Sequence, residues 1–325
     1  MLLRQKLSCG ESLEEEWVRK KEMSYREFVC EWFENYVRIN NKPSEIAGKK
    51  RTLTAHLLPY FGDLRIDEIS GLDIEKYKRK KLESGLSKKT INNHLTIFST
   101  CLKTAKEWHN IDCLSKIKRF KIEPKEMDFL SEKELQCLLY NSTGIWHNMI
   151  LLSAKTGLRR GELIGLKWED INFNNRTLNV RRSIVNNIEG SPKSNKHRTI
   201  PIGKELFYKL WEIRQKKGYV FQVKPGHHIG ARTCHDNLSK ICKRAGLRTI
   251  GWHTLRHTFA SHLAMKGAPV FAIKELMGHA DIQTTMRYAH LAPSTLEAAI
   301  SVLEPGYKDF GQGTVNRQKY KNFSE

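Results

Sequence analysis

The sequence predicts a mainly α-helical protein of two domains, with one small antiparallel β-sheet in the second. Three observations carry this. Apolar residues recur at helical spacing from Ser24 to about residue 110, again from Leu130 to about 156, and beyond 204. A basic stretch with little periodicity, SKIKRFKIEPKEM at 115–127, lies between the first two regions. The short alternating runs typical of strands gather in one place, 171–202. At 325 residues the chain is long enough to bury two cores.

Residues 1–22 mix charges of both signs around Glu14–Glu16 and read as an N-terminal arm. Residues 23–114 read as an all-α domain. Phe28, Trp32 and Tyr36 share one helix face at four-residue spacing. Leu53, Leu57 and Leu58 mark a second helix, read as ending at Pro59 and Gly62. Asp73–Leu82 reads as a third, stopped by Gly85. Ser87 reads as the N-cap of a long fourth helix. Ile91, Leu95, Phe98, Leu102 and Ala105 form its buried face, and Lys88, Lys89, Asn92 and Lys103 are the candidate partner-binding residues away from it.

The 115–127 stretch, with Pro124 near its end, is the expected linker. The second domain is expected over 128–304. It opens with a capping box, Ser131 with Glu134, ahead of a helix at 131–140. An apolar helix near 145–156 is broken by Gly157, and Arg160–Lys167 reads as a short helix. INFNNRTLNV at 171–180 is a hairpin pattern around Asn174-Asn175, RTIPI at 198–202 supplies a third strand, and 186–196 reads as the turn between them. Beyond 204 the pattern is helical through about 300. Residues 305–325 read as a polar tail.

Hydrophobic residues make up 39% and charged residues 28%, the composition of a folded chain rather than a disordered one. The net charge of +21 and pI near 9.7 favour a polyanionic partner, of which nucleic acid is the commonest. A membrane surface is the rival partner, but the chain shows no basic amphipathic anchor or lipid signal. Its longest apolar runs, such as MILLSA at 149–154, are too short to span a bilayer. The seven cysteines form no C-x-x-C pair, which argues against a zinc ribbon or disulfide framework and fits a reducing cytoplasm.

Against this background a dispersed polar set stands out: Arg159 and Glu162, Lys193, His253 and Arg256, His279, and Tyr288. Arginines neutralise a phosphate through a planar fork that stays charged. A lysine and histidines move protons, and a tyrosine can be a nucleophile. Together they are the parts needed to attack a phosphodiester. A metal reading is open for His253, His257 and His262, but a zincin helix needs Glu at 254 and this chain has Thr254. His257 reads as a structural histidine or as one that supports the site residues from behind.

The segments TGLRRGEL, SPKSNKHRTIPI, HTLRHTFASHL and LMGHADIQTTMRYAH resemble, in order, the motifs of tyrosine recombinases of the phage-integrase family, over about residues 24–300. The resemblance implies a two-domain, C-shaped clamp on double-stranded DNA, with a helical core-binding (SAM-like) domain and a catalytic domain. It implies that Arg159 and Arg256 grip the scissile phosphate and that Glu162 braces the first arginine. Lys193 would protonate the leaving 5′ oxygen, with His253 and His279 completing the site. Tyr288 would be the nucleophile, forming a 3′-phosphotyrosyl link. No cofactor, metal or ATP is expected. Lys196 and Arg198, beside Lys193, join Lys88, Lys89, Asn92 and Lys103 as candidate DNA contacts. Expected partners are a homotetramer in the synapse and an accessory DNA-bending or directionality protein, all at the nucleoid in the cytoplasm.

Rival readings follow from the same features. A type IB topoisomerase-like enzyme shares the chemistry, but the compact layout and the HTLRHTF box favour a recombinase. A catalytically silent DNA-binding regulator has no use for Tyr288 together with both arginines. Within the recombinases, the integrase of a phage or other mobile element is preferred, with an Xer-like chromosome or plasmid dimer resolvase as the alternative.

Overall fold

The computed structural model describes residues 23–110, 117–123, 127–191, 197–224 and 226–292. The expected arm and tail, and Lys193 and Lys196, lie outside the described residues. The chain divides into two compact units, Met1–Glu126 and Met127–Glu325.

The first unit is helical. Ser24 and Glu27 form a capping box at the start of α1 (Tyr25–Trp32), which runs through a π-turn (Phe33–Val37) into α2 (Arg38–Asn40). Next, α3 (Pro43–Thr52) passes through a second π-turn (Leu53–Leu57) into α4 (Leu58–Phe61). Pro59 therefore sits inside a helix and does not end it, contrary to the sequence reading. A proline has no N–H for the carbonyl four residues back and its ring crowds that carbonyl. The wider π-turn just before Pro59 opens the ladder at that point, where Leu58 N–H bonds the Leu53 carbonyl instead. The helix stops at Gly62, whose N–H still reaches the Leu58 carbonyl at 2.9 Å. Its beginning also lies earlier than the leucines indicated. No residue of α3 is buried, so apolar periodicity has nothing to detect there.

A Ser70–Asp73 capping box starts α5 (Gly71–Glu83), and Ser87 caps α6 (Lys88–His109), which ends at Asn110 in the left-handed region (φ 59°). The core gathers Tyr25, Phe28, Trp32, Phe61, Tyr77 and Phe98, with Phe61 stacked on Phe98 at 4.5 Å. Asn92, expected among the DNA contacts, instead closes two 2.9 Å hydrogen bonds on the backbone of Phe120, one in each direction. Ile117 and Phe120, in the stretch read as linker, pack against this core. Lys88, Lys89 and Lys103 are exposed.

In the second unit the Ser131–Glu134 capping box starts α7 (Glu132–Tyr140), followed by α8 (Gly144–Thr156) and α9 (Arg160–Ile164). A three-stranded antiparallel sheet has the order β1 (Ile171–Asn172), β2 (Thr177–Val180), β5 (Arg198–Pro201). Ile171 and Ile200 both stand opposite Leu178, and all three are buried. Between β2 and β5 the chain makes a second hairpin, β3 (Ser183–Val185) and β4 (Ile188–Gly190), where a plain turn was expected. Its corner, Asn186-Asn187, has φ of 51° and 62°, the positive pair that a two-residue hairpin turn requires and that asparagine tolerates. A third short hairpin, β6 (Gln222–Lys224) with β7 (His227–His228), interrupts the region read as wholly helical, between α10 (Lys204–Glu212) and α11 (Ala231–Arg244). Last come α12 (Trp252–Met265), α13 (Val270–Met277) and α14 (Gln283–Met286). α12 is buried along most of its length. Among the described residues, no helix is long and apolar enough to cross a membrane.

Candidate active site

Two glycine turns aim the arginines. Gly157 ends α8 at φ +64°, and a Cβ there would collide with the Phe259 ring and lie 3.1 Å from Met277 Sδ. Gly278 ends α13 at φ +62°, where a Cβ would stand 2.9 Å from Arg198 Cδ. The carbonyls at these turns are acceptors for the two arginines that the sequence singled out. Arg256 on α12, 1% exposed, donates to the Gly157 and Met277 carbonyls at 2.5 Å each. Arg159, the N-cap of α9, donates to the Gly278 carbonyl at 3.2 Å. A guanidinium has five N–H donors, so each arginine retains capacity for an anion.

Glu162 organises the cationic side of the site. One oxygen accepts the Arg159 backbone N–H and the other its guanidinium, both at 2.9 Å. Arg198 completes the cluster with a fork on both oxygens, at 3.1 and 2.7 Å, and a bond from Nε to the Leu276 carbonyl at 3.0 Å. Arg198 was expected to touch DNA, yet its side chain is only 8% exposed and is used internally. Burial works to raise the Glu162 carboxyl, but hydrogen bonds and charge from Arg198, then from Arg159, bring it below the usual carboxylate range. Burial, then repulsion from Arg159, lowers the Arg256 guanidinium to about 9, so it stays charged at pH 7.

Tyr288 lies just past α14, 1% exposed, with its phenol pushed up to about 12 by burial while Arg256 and Arg287 pull the other way. Its hydroxyl lies 2.7 Å from His257 Nδ1. Burial, then His253, Arg287 and Arg256, lowers His257 to about 4, so the imidazole is neutral at pH 7 and its Nδ1 can accept from the phenol. His279 points its Nδ1 at Thr285 Oγ1, 2.8 Å away, and burial, then Arg256 and Arg159, lowers it to about 3. His253 is exposed, with its ring edge-on to His257 at 4.7 Å. His262 leaves the group altogether and donates to the Leu130 carbonyl at 2.8 Å. An open cleft of about 350 Å³ beside His253 is also lined by Arg160 and His235.

Arg159, Glu162, Arg256, His279 and Tyr288 thus come from three separated segments into one electrostatically coupled group. Sequence reasoning gave two members other roles, Arg198 that of a DNA contact and His257 that of a structural or supporting histidine. Nothing local paired Arg198 with Glu162, because the two are 36 residues apart. His257 did give a local signal: it stands four residues after His253, hence on the same helix face.

Residues 128–295 match the phage integrase family, and residues 24–82 match the phage integrase N-terminal SAM-like domain. The chain belongs to the phage integrase family. A tyrosine recombinase XerC-like protein of Caldanaerobacter subterraneus subsp. tengcongensis is 30% identical, over 84% of this chain and 80% of that one. The integrase of Haemophilus phage HP1 is 28% identical, over 84% of this chain and 78% of that one. Among solved structures, the Tn1549 transposon integrase in complex with a circular intermediate DNA matches with a TM-score of 0.73 at 23% identity, covering 86% of this chain and 98% of that chain. That likeness concerns the fold. This phage integrase family member therefore carries its polar cluster on the family's own architecture.

Proposed function

We propose that this phage integrase family member is a site-specific DNA recombinase that cuts and rejoins duplex DNA through a 3′-phosphotyrosyl intermediate, as the integrase of a mobile element. The observation that carries the reading is the convergence of Arg159, Arg256 and Tyr288 in the second unit. Arg159 and Arg256 bind the non-bridging oxygens of the scissile phosphate, and Glu162 holds Arg159 in place. Tyr288 attacks phosphorus, and Lys193 protonates the departing 5′ oxygen. A 5′-hydroxyl from a partner duplex then attacks the phosphotyrosine and releases the tyrosine. The bond energy stays in the covalent link, so no ATP is required. The arginines supply the charge that a metal would otherwise bring. His253 and His279 flank the phosphate and donate hydrogen bonds to it. Exposed Lys88, Lys89 and Lys103 contact the DNA backbone, with Lys196, and the +21 net charge supports such a partner. Four protomers assemble on two duplexes.

The mobile-element label is supported by similarity to the HP1 phage integrase. The XerC-like relative favours a second reading, a dimer resolvase.

The test is covalent trapping. Purified protein is mixed with fragmented DNA from its own source and denatured in SDS, and protein-linked DNA is recovered and sequenced. Adducts on one recurrent sequence, absent with Tyr288→Phe, are the expected result. DNA binding without adducts would point to the silent regulator. A recurrent site at a chromosome terminus, rather than at an element's ends, would favour the resolvase.

A further inference from the structure

Three histidines, His253, His257 and His279, belong to the site, but only His257 is seen in contact with Tyr288 among the described residues. Among the described residues, the hydrogen bond of the Tyr288 hydroxyl is to His257 Nδ1, at 2.7 Å. His279 is turned to Thr285. His253 lies on the exposed side of α12 and meets the His257 ring edge-on. His257 is held on α12 next to Arg256, so the group facing the tyrosine oxygen and a group proposed to face the phosphate share one rigid helix.

We infer that His257 is a further catalytic residue, the base that accepts the Tyr288 proton during cleavage and returns it during resealing. The inference deepens the recombinase reading of this site and rests on it. In cleavage, the Tyr288 Oη–H bond breaks and the proton moves to His257 Nδ1. The Oη–P bond forms as the P–O5′ bond breaks, and the 5′ oxygen takes a proton from the general acid, Lys193. In resealing, the incoming 5′-hydroxyl gives its proton to that acid, and His257 gives its proton to the departing phenolate. The histidine and the acid both end as they began.

The charges around His257 suit the role. It faces His253 and Arg256 on its own helix, Arg287 and Tyr288 on the closing segment, and Asp128 ahead of α7. Burial and the positive neighbours hold it neutral before DNA arrives. A scissile phosphate brings negative charge to the arginines, removes part of that repulsion and raises the basicity of His257. Bond formation to phosphorus meanwhile makes the phenol more acidic. Both changes favour transfer at the moment of attack.

The experiment measures the rate of covalent adduct formation on DNA recovered by trapping, for the full chain, from pH 5 to 9. His257→Asn keeps an acceptor oxygen near the Nδ1 position but cannot take the proton, and His257→Phe removes both. Positioned proton transfer contributes roughly 10² to 10⁴ in rate, so a loss of at least about 100-fold is expected for His257→Asn, with DNA binding changed less than about two-fold. At saturating DNA, where the bound phosphate has raised His257 from about 4 into the range measured, the wild-type rate is expected to fall about ten-fold per pH unit on the acid side of that ionisation, and this arm needs no variant to fold. A flat wild-type profile, or His257→Asn cutting at the wild-type rate, overturns the inference. Faster cutting by His257→Phe also overturns it, and makes His257 a restraint on the tyrosine. Wild-type adducts that map to a tyrosine other than Tyr288, or no adducts at all, would instead sink the underlying recombinase site and this inference with it.

Discussion

The Arg198 guanidinium closes on both oxygens of Glu162 at 3.1 and 2.7 Å, and the glutamate side chain is fully shielded from solvent. A buried carboxylate needs charge-assisted donors, and here Arg198 and Arg159 share it. Arg198 is therefore a support for Arg159. Arg198→Ala is expected to destabilise the second unit by about 3 to 5 kcal/mol, the usual cost of breaking a buried pair from one side. Denaturant unfolding measures it. A variant of wild-type stability whose only defect is a weaker salt dependence of DNA binding would show that Arg198 touches DNA after all.

The exposed lysines of α6 should behave in the opposite way. Lys103→Ala and Lys89→Ala remove side chains that carry no buried contact, so stability should change by less than about 0.5 kcal/mol. Each lysine that neutralises one phosphate should reduce the slope of log affinity against log salt by about 0.9. Titration of the trapped DNA at several salt concentrations reads that slope. Unchanged slopes would remove α6 from the DNA interface.

Gly157 tests whether the turn aims Arg256. Its φ of +64° and the nearby Phe259 and Met277 leave no room for a Cβ. Gly157→Ala should cost about 1 to 3 kcal/mol through backbone strain and displaced packing. It should also lower adduct formation at temperatures where the protein remains folded, because the Gly157 carbonyl is one of two that hold the Arg256 guanidinium. Gly85→Ala is the control, with a positive φ but nothing within 4 Å of the added carbon and no part in the site. Equal effects on adduct formation would mean that the turn does not position the arginine.

The sequence disclosed elements that carry a local signature. Ser87, Ser131 with Glu134, and Gly157 mark helix ends through bonds within a few residues, and the structure has those ends. The face of α6 was legible because its buried residues repeat at helical spacing. Short hairpins were not: β3, β4, β6 and β7 hold two or three residues each, too few to show a period of two. Pro59 misled because the π-turn that accommodates it has no sequence mark. In the site, motif spacing pointed to Arg159, Arg256 and Tyr288. What each side chain faces depends on tertiary contacts: Arg198 meets Glu162 across 36 residues and His257 meets Tyr288 across 31.

The first unit carries an acid-sensitive group of its own. His94 is 4% exposed, hydrogen-bonded through Nδ1 to the Tyr77 hydroxyl at 2.9 Å and stacked on His56 at 4.4 Å. Burial, then His56 and Lys81, lowers it to about 4 from an ordinary 6.5. Between those two values the unfolded chain binds a proton that the folded chain does not. Stability from this residue is therefore complete above about pH 6.5 and is lost progressively as pH falls towards 4, by up to about 3 kcal/mol. Unfolding of the full chain in denaturant, followed by a probe in the first unit, should show a lower midpoint at pH 5 than at pH 7.5. His94→Gln should unfold more easily than wild type at pH 7.5, because the Tyr77 contact is weakened, yet lose less stability between the two pH values. If wild type and His94→Gln lose the same amount, the histidine does not titrate in this window, and the acid sensitivity of the first unit has another source.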